Sequence, residues 1–91
     1  MRKRGDVDPF VKRFVYVIRS VREPARHYVG LTSDVAERLA WHNAGAFKFT
    51  APHRPWTLLV ALEFASQSSA ARFERYLKSG SGRAFAKRHF V

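Results

Sequence analysis

The sequence predicts an α+β domain, a three-stranded antiparallel sheet flanked by helices in the order β-β-α-β-α-α. Three observations predict it. Phe14-Val15-Tyr16-Val17-Ile18 and Tyr28-Val29-Gly30-Leu31-Thr32 are short runs rich in aromatic and β-branched residues, and the polar link between them is too short for a parallel crossover. Asp34 and Glu37 have capping-box spacing at the head of a helical stretch that Gly45 stops. Trp56 to Phe64 then alternates as a third strand before two further stretches of helical spacing.

Taken in order, residues 1–9 are polar and basic with Gly5 and Pro9 and show no period, so they are expected to be a flexible arm. Residues 10–91 are expected to be one domain. Phe10 to Ser20 reads as a central strand, Arg22 to Arg26 as a turn closed by Pro24, and His27 to Leu31 as the second strand. Val35, Ala36, Leu39 and Ala40 are the expected inward stripe of the first helix. Phe47 to Pro55 reads as a basic, proline-containing loop. The second helix is expected from Ser68 or Ser69 to about Lys78, with Ala70, Phe73 and Leu77 inward. Ser79-Gly80-Ser81-Gly82 reads as a break, and Arg83 to Val91 as a short basic helix.

Ninety-one residues leave room for one core, and a hydrophobic fraction of 46% with eight phenylalanines is enough to fill it. No apolar run is long enough to cross a bilayer and no signal-peptide pattern follows Met1, so the expected location is the cytoplasm or nucleoid, with no membrane contact. The absence of cysteine excludes disulfides, thiolate zinc sites and thiol nucleophiles. Seventeen Lys and Arg against seven Asp and Glu give a net charge of +10, which favours a polyanion, because each neutralised phosphate releases condensed counterions. Nucleic acid is the expected partner: DNA, branched or single-stranded, with RNA also compatible.

Chemistry-bearing residues stand in three places. Glu74 lies near the apolar stripe of the second helix, where a carboxylate needs a cation, either Lys78 four residues on or a bound metal. One carboxylate suits Mg²⁺, which keeps waters and takes further ligands from substrate phosphate. Arg38 and His42 share one strip of the first helix, and the plain alternative for them is a solvated face with Arg38 paired to Asp34. Tyr16 and Tyr28 lie on neighbouring strands, where their hydroxyls converge if both leave the same face. Gly30 permits close approach of backbone or ligand. Trp41 reads as a half-covered core residue in preference to an oligomer contact or a base-stacking platform. The four histidines show no metal-ligand spacing, and no nucleotide-binding glycine loop follows a strand.

In this order and spacing the residues resemble the GIY-YIG nuclease family, in particular its small stand-alone bacterial members. Val15-Tyr16 stands at the first motif, with Phe14 in place of the usual glycine, and Tyr28-Val29-Gly30 at the second, with valine for isoleucine. Glu37-Arg38-Leu39 and His42-Asn43-Ala44-Gly45 look like the family's helix. Lys48-Phe49-Thr50-Ala51 with Arg54-Pro55-Trp56 looks like the following loop, and Glu74-Arg75-Tyr76-Leu77-Lys78 like the helix bearing the metal ligand. The resemblance runs from about Phe14 to Phe90, and the asparagine that many relatives carry late in the domain is absent from Arg83 to Val91.

The resemblance implies metal-dependent hydrolysis of DNA phosphodiesters, a DNA-repair type of activity, with Mg²⁺ or Mn²⁺ as cofactor. Glu74 would hold the metal and Arg38 would neutralise the scissile phosphate. Tyr16 and Tyr28 would flank the attacking water, one of them as its base, and His42 would assist. Lys48, Arg54, Lys78, Arg83, Lys87 and Arg88 are the expected nucleic-acid contacts. Relatives in repair or homing add a separate DNA-binding domain not expected here, which implies structure-directed nicking and either a partner protein or a homodimer. The alternatives are a non-catalytic nucleic-acid-binding module on the same fold and a basic accessory protein.

Overall fold

The computed structural model describes residues 10–91, and the expected basic arm over 1–9 lies outside them. The elements are β1 (Phe14–Ser20), β2 (His27–Thr32), α1 (Val35–Asn43), a single 3-10 turn (Ala51–His53), β3 (Trp56–Glu63), α2 (Gln67–Leu77) and α3 (Gly80–His89). The sheet is antiparallel throughout in the order β2-β1-β3, so β1 is central as the sequence predicts. Among the described residues, no helix is long and apolar enough to cross a membrane.

The central strand starts at Phe14, four residues later than expected. Residues 10–13 run beside the sheet without joining it between two strands: Lys12 N–H donates to the Gln67 side chain at 2.7 Å, and the Arg13 carbonyl accepts from Phe64 N–H at 2.8 Å. A bulge between Val17 and Ile18 on the β3 side lets Val17 face Val60 and Ile18 face Leu58.

The two faces of the sheet are packed differently. Val15 and Val17 point to one face, where Ala70 and Leu77 of α2 complete a buried cluster joined by Val29, Phe73, Phe85 and Phe90. Tyr16 and Ile18 point to the other, with Trp56, Tyr28, Val35 and Leu39 beneath α1. The molecule is therefore three layers, with α1 on one side and α2 and α3 on the other.

Local chemistry sets the helix ends. Asp34 caps α1, its carboxylate accepting from Glu37 N–H at 3.0 Å. The reciprocal half of a capping box is replaced: Asp34 N–H donates to the Thr32 hydroxyl. Gly45 ends the turn with φ +82°, which turns the chain so that the following Ala46 N–H points back to the Trp41 carbonyl at 3.4 Å. The inward stripe of α1 is Val35, Leu39 and His42. Ala36 and Ala40, expected inward, are exposed. The i, i+4, i+7 course is the one that faces the sheet, and the small alanines fall on its flank.

α3 also departs from expectation. The expected break after α2 is present but shorter, at Lys78 and Ser79: Ser79 caps α3, accepting from Gly82 N–H at 3.2 Å, and the helix begins at Gly80 instead of Arg83. Gly82 is buried against the end of α2, where a Cβ would collide with the Tyr76 carbonyl. The glycine is there for helix packing.

Candidate active site

β1 and β2 place the two tyrosines. Tyr16 lies directly opposite Gly30, and Ile18 opposite Tyr28, so both phenols leave the sheet on the α1 face. Their ring centroids are 6.3 Å apart. Gly30 makes room for this: a Cβ there would overlap the Tyr16 hydroxyl, so the close approach expected at this glycine is the tyrosine ring itself.

α1 supplies His42, and its solvated alternative is excluded, because the imidazole is fully buried. It sits between two hydroxyls, with Tyr16 Oη 2.8 Å from Nε2 and Thr50 Oγ1 2.8 Å from Nδ1. The Thr50 hydroxyl in turn points at the Phe47 carbonyl, 3.4 Å away. With that proton committed, Thr50 accepts from Nδ1–H. Nε2 then carries a lone pair toward the Tyr16 hydroxyl. Burial, with the Arg38 guanidinium beside it, pushes the His42 pKa down to about 4, so the ring is neutral at pH 7. Burial pushes the Tyr16 phenol well above its ordinary range; Tyr28 and Glu74 add to the shift and Arg38 opposes it.

Those fields place the remaining residues. Arg38 and Glu74 come from opposite sides of the sheet, yet both act on the Tyr16 hydroxyl. Arg38 lies with its guanidinium 4.4 Å above the Trp41 ring, a cation–π contact that holds it, and the alternative of an ion pair with Asp34 is not formed. Glu74 is mostly covered, at 17% side-chain exposure, and pairs with Lys78 at 2.5 Å. The Lys78 ammonium lies 5.9 Å from the centre of the Tyr28 ring, which brings this end of α2 to the β2 edge of the sheet. Tyr16, Tyr28 and His42 are thus in direct contact, and the charges of Arg38 and Glu74 bear on the same Tyr16 hydroxyl.

The basic residues do not form one patch. Lys78, Arg83 and Lys87 rim a groove of about 710 Å³ between β2 and α3, floored by Val29, Leu77 and Ala86. Lys48 lies on the far side of Tyr28, over the exposed Phe49 ring. Arg54 is folded back, its Nε donating to the Ala51 carbonyl at 2.8 Å with the guanidinium against Gly45. Arg88 is exposed and lies outside the groove lining.

The donor set is compatible with a hard divalent cation that keeps most of its waters. Among the described residues no group of three or more His, Asp or Glu converges, and the carboxylate whose charge reaches Tyr16 is that of Glu74. That carboxylate already attracts a cation, and its lysine partner is half exposed on an i, i+4 pair, the kind worth only about 0.3–0.5 kcal/mol. An ion and the Lys78 ammonium would compete for the same oxygen, with little energy holding the lysine.

Two supporting residues stand in segments that carry the family resemblance, yet the sequence assigns neither a role. Thr50 sits in an aperiodic loop, eight residues beyond His42, and nothing in that spacing marks it. Asn43 binds both Trp56 N–H, at 2.7 Å, and the Trp56 carbonyl, at 3.0 Å, tying the end of α1 to the start of β3. Its signal in the sequence is its place in the His42-Asn43-Ala44-Gly45 segment, in the last turn of a helix just before a stop.

Comparison with known proteins agrees with this geometry. Residues 12–88 match the family described as GIY-YIG catalytic domain. The structure-specific endonuclease subunit SLX1 of Candida dubliniensis is 37% identical over 71 residues, covering 70% of this chain and 25% of that protein. The SLX1 subunit of Talaromyces marneffei is 40% identical over 65 residues, 65% of this chain and 17% of its own length. A UPF0213 protein of Staphylococcus haemolyticus is 37% identical over 71 residues, 77% of this chain and 84% of its own length. The chain therefore spans a quarter or less of these two fungal relatives and most of the bacterial one. No solved structure matches the chain.

Proposed function

The chain belongs to the GIY-YIG family, and from that premise we propose that it is a divalent-metal-dependent endonuclease that nicks DNA at branched or flapped structures. The observation that carries the proposal is the cluster of Tyr16, Tyr28 and buried His42, with the Tyr16 hydroxyl bonded to the imidazole and lying within the fields of Arg38 and Glu74. A fixed cation, a metal-competent carboxylate and a proton path around one point suit phosphodiester hydrolysis.

Each side chain has a task. Arg38, held by Trp41, binds the non-bridging phosphate oxygens and stabilises the charge that grows on them. Tyr28 flanks the attacking water. Tyr16 receives the water's proton while passing its own to His42 Nε2, so the base is a neutral relay and no free phenolate is required. Thr50 keeps Nε2 as the acceptor. The new P–O bond forms as the bond to the leaving oxygen breaks; the imidazolium then returns its proton to solvent, and the leaving oxygen takes one from solvent. Glu74 would hold Mg²⁺ or Mn²⁺, which when bound supplies positive charge to the phosphate.

The test is cleavage of end-labelled flap, three-way-junction and duplex DNA with Mg²⁺, Mn²⁺ or chelator. The proposal expects metal-dependent nicks that Glu74→Gln removes while melting is unchanged. Folded wild-type protein that cuts none of them with either metal overturns it. The Glu74–Lys78 ion pair favours a second reading, a binding module whose carboxylate never takes a metal. That reading predicts salt-sensitive DNA binding, no nicks, and no effect of Glu74→Gln on affinity.

A further inference from the structure

A line of rings leaves the site on the α1 side and ends in water. Tyr28 meets Phe47 edge-on at 5.9 Å. Phe47 stacks on Trp41 at 5.5 Å with only 20° between the planes. Phe47 also meets Phe49 edge-on at 5.3 Å, and Phe49 is 66% exposed. Cations sit at both ends, with Arg38 over Trp41 at 4.4 Å and the Lys48 ammonium 5.1 Å from the Phe49 ring centre.

Core packing does not explain this arrangement. A phenylalanine gains about 1.5–3 kcal/mol on full burial, and Phe49 forgoes most of it. An exposed ring beside a lysine, backed by half-buried rings that end under an arginine, is a composition that suits unpaired nucleic-acid strands, because every base has a face to stack and every phosphate a charge to meet. Paired bases in a duplex already stack on one another and have no free face to offer.

We infer that Phe49, with Trp41 and Phe47 behind it, is a stacking platform for unpaired bases of the DNA strand adjoining the cleavage site. The inference rests on the endonuclease reading and adds to it a reason for preferring branched substrates. The strand would run from the phosphate at Arg38 past Lys48, leaving its bases on the rings. The exposed Phe49 ring supplies the outermost contact.

Binding without divalent metal tests this apart from cleavage. The probes are an oligothymidylate of about ten nucleotides and a hairpin duplex without unpaired ends, titrated by fluorescence anisotropy. Phe49→Ala is expected to weaken oligothymidylate binding by about 5- to 150-fold, the size of one base–aromatic stack. Duplex affinity should stay within about twofold, and Phe49→Tyr should retain the wild-type affinity. Lys48→Ala should weaken both probes alike and flatten the salt dependence of each. Unchanged oligothymidylate binding in Phe49→Ala, or equal losses on both probes, overturns the platform. A wild-type protein that binds as expected but cuts nothing would sink the endonuclease reading and leave the platform standing.

Discussion

The two faces of one three-stranded sheet have been put to opposite uses. Beneath α2 and α3 the buried side chains are Val15, Val17, Ala70 and Leu77, all apolar. Beneath α1 the same central strand contributes Tyr16, which meets the buried His42, itself held on its other nitrogen by the buried Thr50. Alternation along β1 separates them by a single residue: Val15 and Val17 face one side and Tyr16 the other. The first face holds the fold together. The second spends stability on buried polar groups, all of which find partners among the described residues. A rigid apolar side lets the polar side stay fixed enough to act.

That division makes substitutions on the two faces separable. The largest expected effect is on rate: Arg38→Ala should lower single-turnover cleavage by about 10²–10³-fold while the melting midpoint hardly moves. Arg38→Lys should recover little, because a point charge cannot reproduce the planar fork. Next comes Leu77→Ala on the apolar face, expected to cost about 2–5 kcal/mol in urea denaturation while the rate per folded molecule is kept. If Leu77→Ala cut the rate as deeply as the stability, the two faces would not be independent.

Thr50→Val should be smaller on both counts. It removes the acceptor for His42 Nδ1–H, costing about 1–3 kcal/mol for an unpaired buried donor. The tautomer is also freed, so cleavage should slow and the acid limb of its pH profile should move. Thr50→Ser should restore both, which a merely space-filling role would not require.

A further effect is on stability against pH. His42 titrates at about 4 in the folded chain and near 6.5 when unfolded, so the unfolded state binds the extra proton first. The stability that neutral His42 represents is whole above about 6.5 and is lost as pH falls toward 4. Denaturation midpoints should decline across that window, and His42→Gln should flatten the decline.

Much of this was legible in the sequence because it depends on neighbours along the chain. Strand alternation gave β1 and β2, Asp34 and Gly45 gave the ends of α1, and the Ala70, Phe73, Leu77 spacing gave the inner face of α2. What depended on packing was not legible. Ala36 and Ala40 look as apolar as Leu39, yet only the docking angle of α1 decides which side is covered. The glycines at 80 and 82 read as breakers, when Gly82 is needed for contact with the Tyr76 carbonyl. His42 has the same helical spacing from Arg38 whether it is solvated or buried, and Thr50 became visible only once its loop had folded back onto the ring. Arg38 and Glu74, 36 positions apart and on helices of opposite faces, both bear on the Tyr16 hydroxyl, which no local pattern encodes.

The central claim is that the Tyr16 hydroxyl is where the attacking water's proton departs. Single-turnover cleavage of a flap substrate by Tyr16→Phe measures it most directly, with DNA affinity and urea denaturation followed in parallel. The account predicts a rate lowered by about 10²–10⁴-fold with DNA affinity unchanged and the protein folded. A rate within about twofold of wild type would contradict it, since phenylalanine keeps the ring and loses only the group said to move the proton.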